Sequence, residues 1–167
     1  MGKADTHIHT IHSFDGTASV REVLQSAAQA RLDVIAITDH NEVRAGLEAR
    51  ELAGEYGLQV IPGAEISTRE GHLVALFIEQ PIPARLSLVE TLLRVGEQGG
   101  MAIAAHPDHP VPSSLPLRTI IEALEHPLAC RFLRGMEATT PGFRAPRGSG
   151  TCVTGTTKAG IPAHWMG

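Results

Sequence analysis

The chain has 167 residues, of which 43% are hydrophobic and 19% charged, with a formal net charge of −4 at pH 7. This composition fits one globular domain and excludes the strongly basic balance of a protein that grips nucleic-acid backbones non-specifically. No apolar run reaches the ~18 residues of a membrane-spanning helix, the opening MGKADTHIHT lacks a signal-peptide core, and Cys130 and Cys152 are too few for a disulfide scaffold, so a soluble cytoplasmic protein with no membrane partner is expected. A complete eight-unit βα barrel typically needs about 250 residues, so any barrel here must be smaller or incomplete.

Residues 4–9 read as a first strand and 13–16 as a turn. Ser19 and Glu22 have capping-box spacing and open an amphipathic stretch with Val20, Val23, Leu24, Ala27 and Ala28 on one face. Residues 33–38 (DVIAIT) form a near-continuous apolar run, typical of a strand buried on both faces of a parallel sheet. Residues 42–56 are helical in composition, with Gly57 as the stop. Residues 58–61 are a further strand, with Pro62-Gly63 after it and Glu65 just beyond. Residues 72–78 (HLVALFI) are a strand and 81–85 a loop. Ser87 and Glu90 repeat the capping box before a helix to about Gln98, which Gly99-Gly100 ends. Residues 101–105 are a strand followed by His106-Pro107, residues 117–125 a helix, and residues 130–139 another strand that would hold Cys130 as a buried, inert thiol. The alternation predicts an α/β domain with a largely parallel sheet. After Gly142 the rhythm breaks, and residues 144–159 (RAPRGSGTCVTGTTKA) read as loop or disorder.

Nine histidines are present, and their placement matters more than their number. His7 and His9 are an H-x-H pair at the end of the first strand, where residues i and i+2 point to one side. Asp15 follows in the next turn, Asp39-His40 ends the second strand, Glu65 follows the third, and His106 ends a later one. In a parallel sheet or barrel all strand C-termini lie at one rim, where sites are built. Each signal alone is common on protein surfaces, but successive strand ends delivering imidazole and carboxylate to one rim point to a site for Zn, Mn or Fe. His72 starts a strand instead of ending one, so this rule leaves it open. His12, His109 and His126 read as loop or surface residues or as supports behind the metal ligands, and Asp5 and Asp39 as groups that orient neighbouring rings. There is no G-x-S-x-G elbow or phosphate-binding P-loop, the cysteine spacing matches no zinc ribbon, and Tyr56 and Trp165 form no stacking platform.

Asp5-Thr6-His7-Ile8-His9-Thr10 with Ser13-Phe14-Asp15-Gly16 resembles the D-x-H-x-H-T…S-x-D-G opening of the PHP (polymerase and histidinol phosphatase) superfamily. Thr38-Asp39-His40, Gly63-Ala64-Glu65-Ile66-Ser67, Gly71-His72 and His106-Pro107 resemble its following motifs, in order, from about Asp5 to Thr140. The resemblance implies a distorted (β/α)7 TIM-like barrel, two or three divalent ions (Zn, Mn or Fe) and phosphoester hydrolysis. It makes His7, His9, Asp15, His40, Glu65, His72 and His106 metal ligands, with Glu65 bridging two ions. The family's closing G-S-D-A-H motif corresponds to Gly160-Ile161-Pro162-Ala163-His164, so His164 fits as a ligand while Pro162, which has no donor atom, replaces the Asp. The expectation is therefore a single PHP domain over residues 1–167, patterned over 1–142 and irregular over 143–167, with a barrel incomplete at its C-terminal end. A frameshift between about Arg144 and Pro162, or a divergent variant, would account for the tail, and resequencing decides between them.

The implied reaction is hydrolysis of a small phosphorylated substrate by water whose pKa bound ions lower to about 7, giving hydroxide. Asp15 is a candidate proton carrier. Arg69, between Glu65 and His72, is a candidate grip for the phosphate, with an ordinary surface arginine as the favoured reading. The alternatives are a nuclease-like phosphodiesterase, against which the acidic balance argues, and a metal-binding remnant without turnover.

Overall fold

The computed structural model describes residues 2–137. The irregular tail, Cys152, Pro162 and His164 lie outside the described residues. The elements are β1 (Ala4–Ile8), α1 (Val20–Gln29), β2 (Val34–Ile37), α2 (Arg44–Tyr56), β3 (Gln59–Ser67), β4 (His72–Leu76), α3 (Leu88–Glu97), β5 (Met101–Ala104), α4 (Leu117–Glu125), a 3-10 turn at Ala129–Arg131, and β6 (Leu133–Met136). Both capping boxes form: Glu22 accepts from the Ser19 backbone N–H at 2.8 Å and Glu90 from that of Ser87 at 2.9 Å, while each serine hydroxyl accepts from the glutamate's N–H. Gly57, left-handed at φ 67°, stops α2.

The strands lie in the order β1-β2-β3-β4-β5-β6. β1–β2, β2–β3 and β5–β6 are parallel, but β3–β4 and β4–β5 are antiparallel. The expected largely parallel sheet is thus corrected at β4, which runs against its companions. The reason is connection length: only residues 68–71 join β3 to β4, whereas a parallel crossover needs about a dozen. Thr68 N–H donates to the Gly71 carbonyl at 2.9 Å to close this turn.

Two strand boundaries also differ from expectation. β3 runs through Pro62-Gly63, so Glu65 lies inside it. Pro62 is the last residue paired with β2 and Gly63 the first paired with β4, so the proline sits where the strand changes neighbours and its missing N–H is tolerated. At the other end β6 is short, and Cys130 falls in the 3-10 turn, half-buried instead of sealed in a strand.

Alternation along the strands separates two faces. On one, α1 and α2 pack on Ile35 and Ile37. α3 and α4 pack on Ala64, Ile66, Leu73, Ala75, Ala102 and Ala104. The opposite face carries a smaller cluster of Ala36, Val74, Leu76, Phe77 and Ala105. By the same alternation Glu65 and His72 share this second face. Among the described residues β1 and β6 are the outermost strands, which a flat sheet would hold about 24 Å apart. The side chains of His7 on β1 and Glu137 just after β6 nevertheless touch, so the sheet curls with its helices on the convex side.

Candidate metal centre

Glu65 is 2% exposed and lies at the middle of the site. Its Oε2 is 3.1 Å from His9 Nε2, 3.3 Å from His7 Nε2 and 3.3 Å from His40 Nδ1. Its Oε1 is 2.9 Å from His72 Nδ1 and 3.1 Å from His106 Nε2. Asp15, on the open side, reaches His9 Nδ1 at 2.9 Å and His40 Nε2 at 3.2 Å. Three overlapping donor groups result, His7/His9/Glu65, His9/Asp15/His40 and His40/Glu65/His72, each with its donor atoms within 4.8 Å of one another.

Each residue arrives there for a local reason. His7 lies on β1, with His9 just beyond it. His40 follows β2 and bridges in parallel to Glu65. The reversed direction of β4 carries its first residue, His72, to the rim where the other strands end, which answers the question the strand-end rule left open. His106 follows β5 at φ 31°, a left-handed backbone that breaks the alternation and turns its ring toward Glu65. The loop carrying Asp15 is fixed against the strand end. Ser13 N–H donates to the Thr10 carbonyl at 2.9 Å, Ser13 Oγ accepts from the His40 N–H at 2.8 Å, and a Cβ at Gly16 would collide with the Thr10 carbonyl.

The donor set fits divalent cations. His40 Nδ1 and His106 Nδ1 are buried with no hydrogen-bond partner among the described residues. His40 Nδ1 is near Glu65 but not in hydrogen-bonding geometry. Buried imidazole nitrogens are normally satisfied, and mixed imidazole–carboxylate shells suit Zn, Mn or Fe.

Without an ion, protons balance the carboxylates. Burial disfavours charge on His7, but its hydrogen bonds to Glu137 and Glu65 outweigh this and raise it to about 10. His9 is raised in the same way against burial, by Glu65 and Asp15. Burial lowers His40. Glu65 is held well below the carboxylate range despite burial, by the rings of His106, His7, His72 and His9. The stability contributed by protonated His7 is complete below its ordinary 6.5 and lost as pH rises toward about 10. That from ionised Glu65 is present above its ordinary 4.5 and lost on acidification, and neutral His40 adds to the loss below 6.5. The metal-free chain is therefore expected to melt highest near about pH 6 and progressively lower toward pH 10. Thermal melts across this range in chelator check it, and a flat alkaline limb contradicts it. Metal uptake, which displaces these protons, is expected to tighten with rising pH.

Glu137, just after β6, was not among the residues singled out from sequence. Its Oε1 is 2.6 Å from His7 Nδ1 and its Oε2 accepts the His106 backbone N–H at 2.8 Å. It fixes His7 with Nε2 toward Glu65, an outer partner of the kind that orients a metal-binding ring. The strand-end rule would have found it had residues 130–139 not been read as one strand that swallowed it. Glu137→Ala is expected to weaken metal binding about 10–100-fold, measured by titration with Mn²⁺.

The remaining expectations are revised by geometry. Asp39 is fully buried, but its oxygens accept from the Thr10 backbone N–H at 2.7 Å and the Thr10 hydroxyl at 2.8 Å, so it anchors the chain after β1 and not a histidine ring. Asp5 accepts from the His7 backbone N–H at 3.2 Å, again not from a ring. Arg69 is exposed and pairs with Glu90 at 2.8 Å on the first turn of α3.

The family model described as PHP domain matches residues 5–109. An uncharacterized protein of Methanocaldococcus jannaschii is 42% identical over 123 residues, covering 68% of this chain and 72% of its own. The phosphoribosyl 1,2-cyclic phosphate 1,2-diphosphodiesterase of Eggerthella lenta is 34% identical over 95 residues, covering 53% of this chain, which spans only 36% of that enzyme. Among solved structures, a Bifidobacterium adolescentis protein assigned to the metal-dependent phosphoesterases superposes with TM-score 0.66 at 18% identity, over 81% of this chain and 77% of its own, a likeness of fold.

Proposed function

The chain belongs to the PHP family, and on that premise we propose that it is a metal-dependent phosphoesterase that hydrolyses a small phosphorylated substrate. The carrying observation is the buried Glu65 carboxylate within 3.3 Å of nitrogens from five imidazoles, with Asp15 completing the open side. Ions held there would supply Lewis-acid charge for the phosphoryl oxygens and a nucleophilic water at neutral pH. His7, His9, Asp15, His40, Glu65, His72 and His106 would hold two or three of them, Zn, Mn or Fe, with His164 as an added ligand from beyond the described residues. Glu65 belongs to two of the three donor groups and would serve as a ligand in both. Asp15, 42% exposed with its two oxygens against His9 and His40, would take a proton from the attacking water. The six strands would be the first part of the (β/α)7 barrel. The net charge of −4 favours a small substrate over a polynucleotide.

Hydrolysis of an aryl phosphate by the Mn²⁺-loaded chain, compared with a His7→Ala/His9→Ala double variant, tests this. Activity that falls at least about 100-fold together with metal content supports it, given several kcal/mol from metal charge. Unchanged activity in the variant rules the site out. Cleavage of single-stranded DNA without cleavage of monoesters would replace the reading with a nucleic-acid phosphodiesterase, and metal binding without turnover with a metal-binding remnant.

A further inference from the structure

Phe14 is 87% exposed, and Ile11 on the same loop is 58% exposed. Large apolar side chains in water are common singly, but Phe14 stands directly against a polar cluster. Its ring lies nearly parallel to the His40 ring, with centroids 4.7 Å apart and planes 13° from each other. One face of Phe14 is thus occupied by a residue of the metal centre while the other is open. The ring is also held in place. Ser13 before it is buried and bonded to the Thr10 carbonyl and the His40 N–H, Asp15 after it is tied to His9 and His40, and Gly16 abuts Thr10 too closely for any side chain. Ile11 N–H is fixed to the Ala18 carbonyl at 2.9 Å. A preorganised aromatic surface pays little ordering entropy when a second ring settles on it.

We propose that Phe14 is a stacking shelf that selects phosphate esters carrying a flat aromatic group, a nucleobase being the fitting kind. The proposal rests on the phosphoesterase reading above and adds the specificity-determining residue. An aromatic ring accepts any base face, so the shelf favours nucleotides over sugar phosphates without discriminating among bases.

Calorimetric titration of the Mn²⁺-loaded full chain with the non-hydrolysable phosphonate analogues of adenosine 5′-monophosphate and ribose 5-phosphate tests this, because the two differ at C1′, where one carries the base and the other a hydroxyl. The base-bearing analogue is expected to bind about tenfold tighter, the lower part of the range for base–aromatic stacking. Phe14→Leu is expected to erase that ratio and Phe14→Trp to keep it, with metal content measured in each variant. Equal affinities in the natural chain, or a ratio that survives Phe14→Leu, overturn the shelf while leaving phosphoester hydrolysis standing. Failure of both analogues to bind while the chain hydrolyses an aryl phosphate overturns the shelf alone, whereas absence of that hydrolysis overturns the phosphoesterase reading and the shelf with it.

Discussion

Glu65→Gln is expected to lower phosphoester hydrolysis at least about 10³-fold and to strip most of the bound metal from the purified chain. Gln keeps the shape of the side chain but removes its charge and turns an amide N–H₂ toward rings that Glu65 receives only as an acceptor. Its Oε1 and Oε2 together face five imidazoles, so no other residue can take over this role. The same change removes a partner that raises His7 and His9, so the alkaline loss of stability in the metal-free chain should become shallower. Elemental analysis and turnover are the measurements. A Gln variant that keeps full metal content and activity would show that the carboxylate is structural and not a ligand.

Asp39→Ala is expected to cost about 3 kcal/mol of folding stability, measured by urea denaturation. The fully buried carboxylate accepts two hydrogen bonds from Thr10, itself fully buried, and bonds to a charged acceptor contribute about 1.5–3 kcal/mol each. Ala leaves both Thr10 donors without a partner in a dry place. Asp39→Asn, which retains one acceptor oxygen, should lose about half as much. Because Thr10 is where the Asp15 loop folds back, the Ala variant should also bind metal more weakly than the Asn variant. Equal metal affinity in both would confine Asp39 to the core.

Much of the fold is local, and local signals were legible. The Ser19/Glu22 and Ser87/Glu90 pairs announce α1 and α3 because capping is decided within four residues. Gly57 announces the end of α2 for the same reason. The strand ends that deliver His7, His9, His40 and His106 could be read from apolar runs followed by polar residues. The rest depended on direction and reach. The side on which His72 falls depends on β4 running backward, which only the short 68–71 connection encodes. Pro62 looked like a stop because the change of neighbour along β3 is a property of the sheet, not of the segment. Asp39 sits beside a histidine in sequence yet bonds to Thr10, since a side chain at a strand end is free to turn toward the adjoining strand. Glu137 was hidden by a strand read too long.

The contact between His7 and Glu137 joins positions 130 residues apart, across the outer two of the six described strands. Glu65 and His72, separated by 7, meet within one hairpin. Hairpins close in microseconds, whereas pairings of high sequence separation wait on most of the chain's ordering entropy. The centre should therefore assemble in stages, from the Glu65–His72 hairpin outward, and reach its full affinity only once the clasp between the two edges has closed. Metal uptake then becomes a reporter of global folding, and the ion a latch that slows the reopening of the curled sheet.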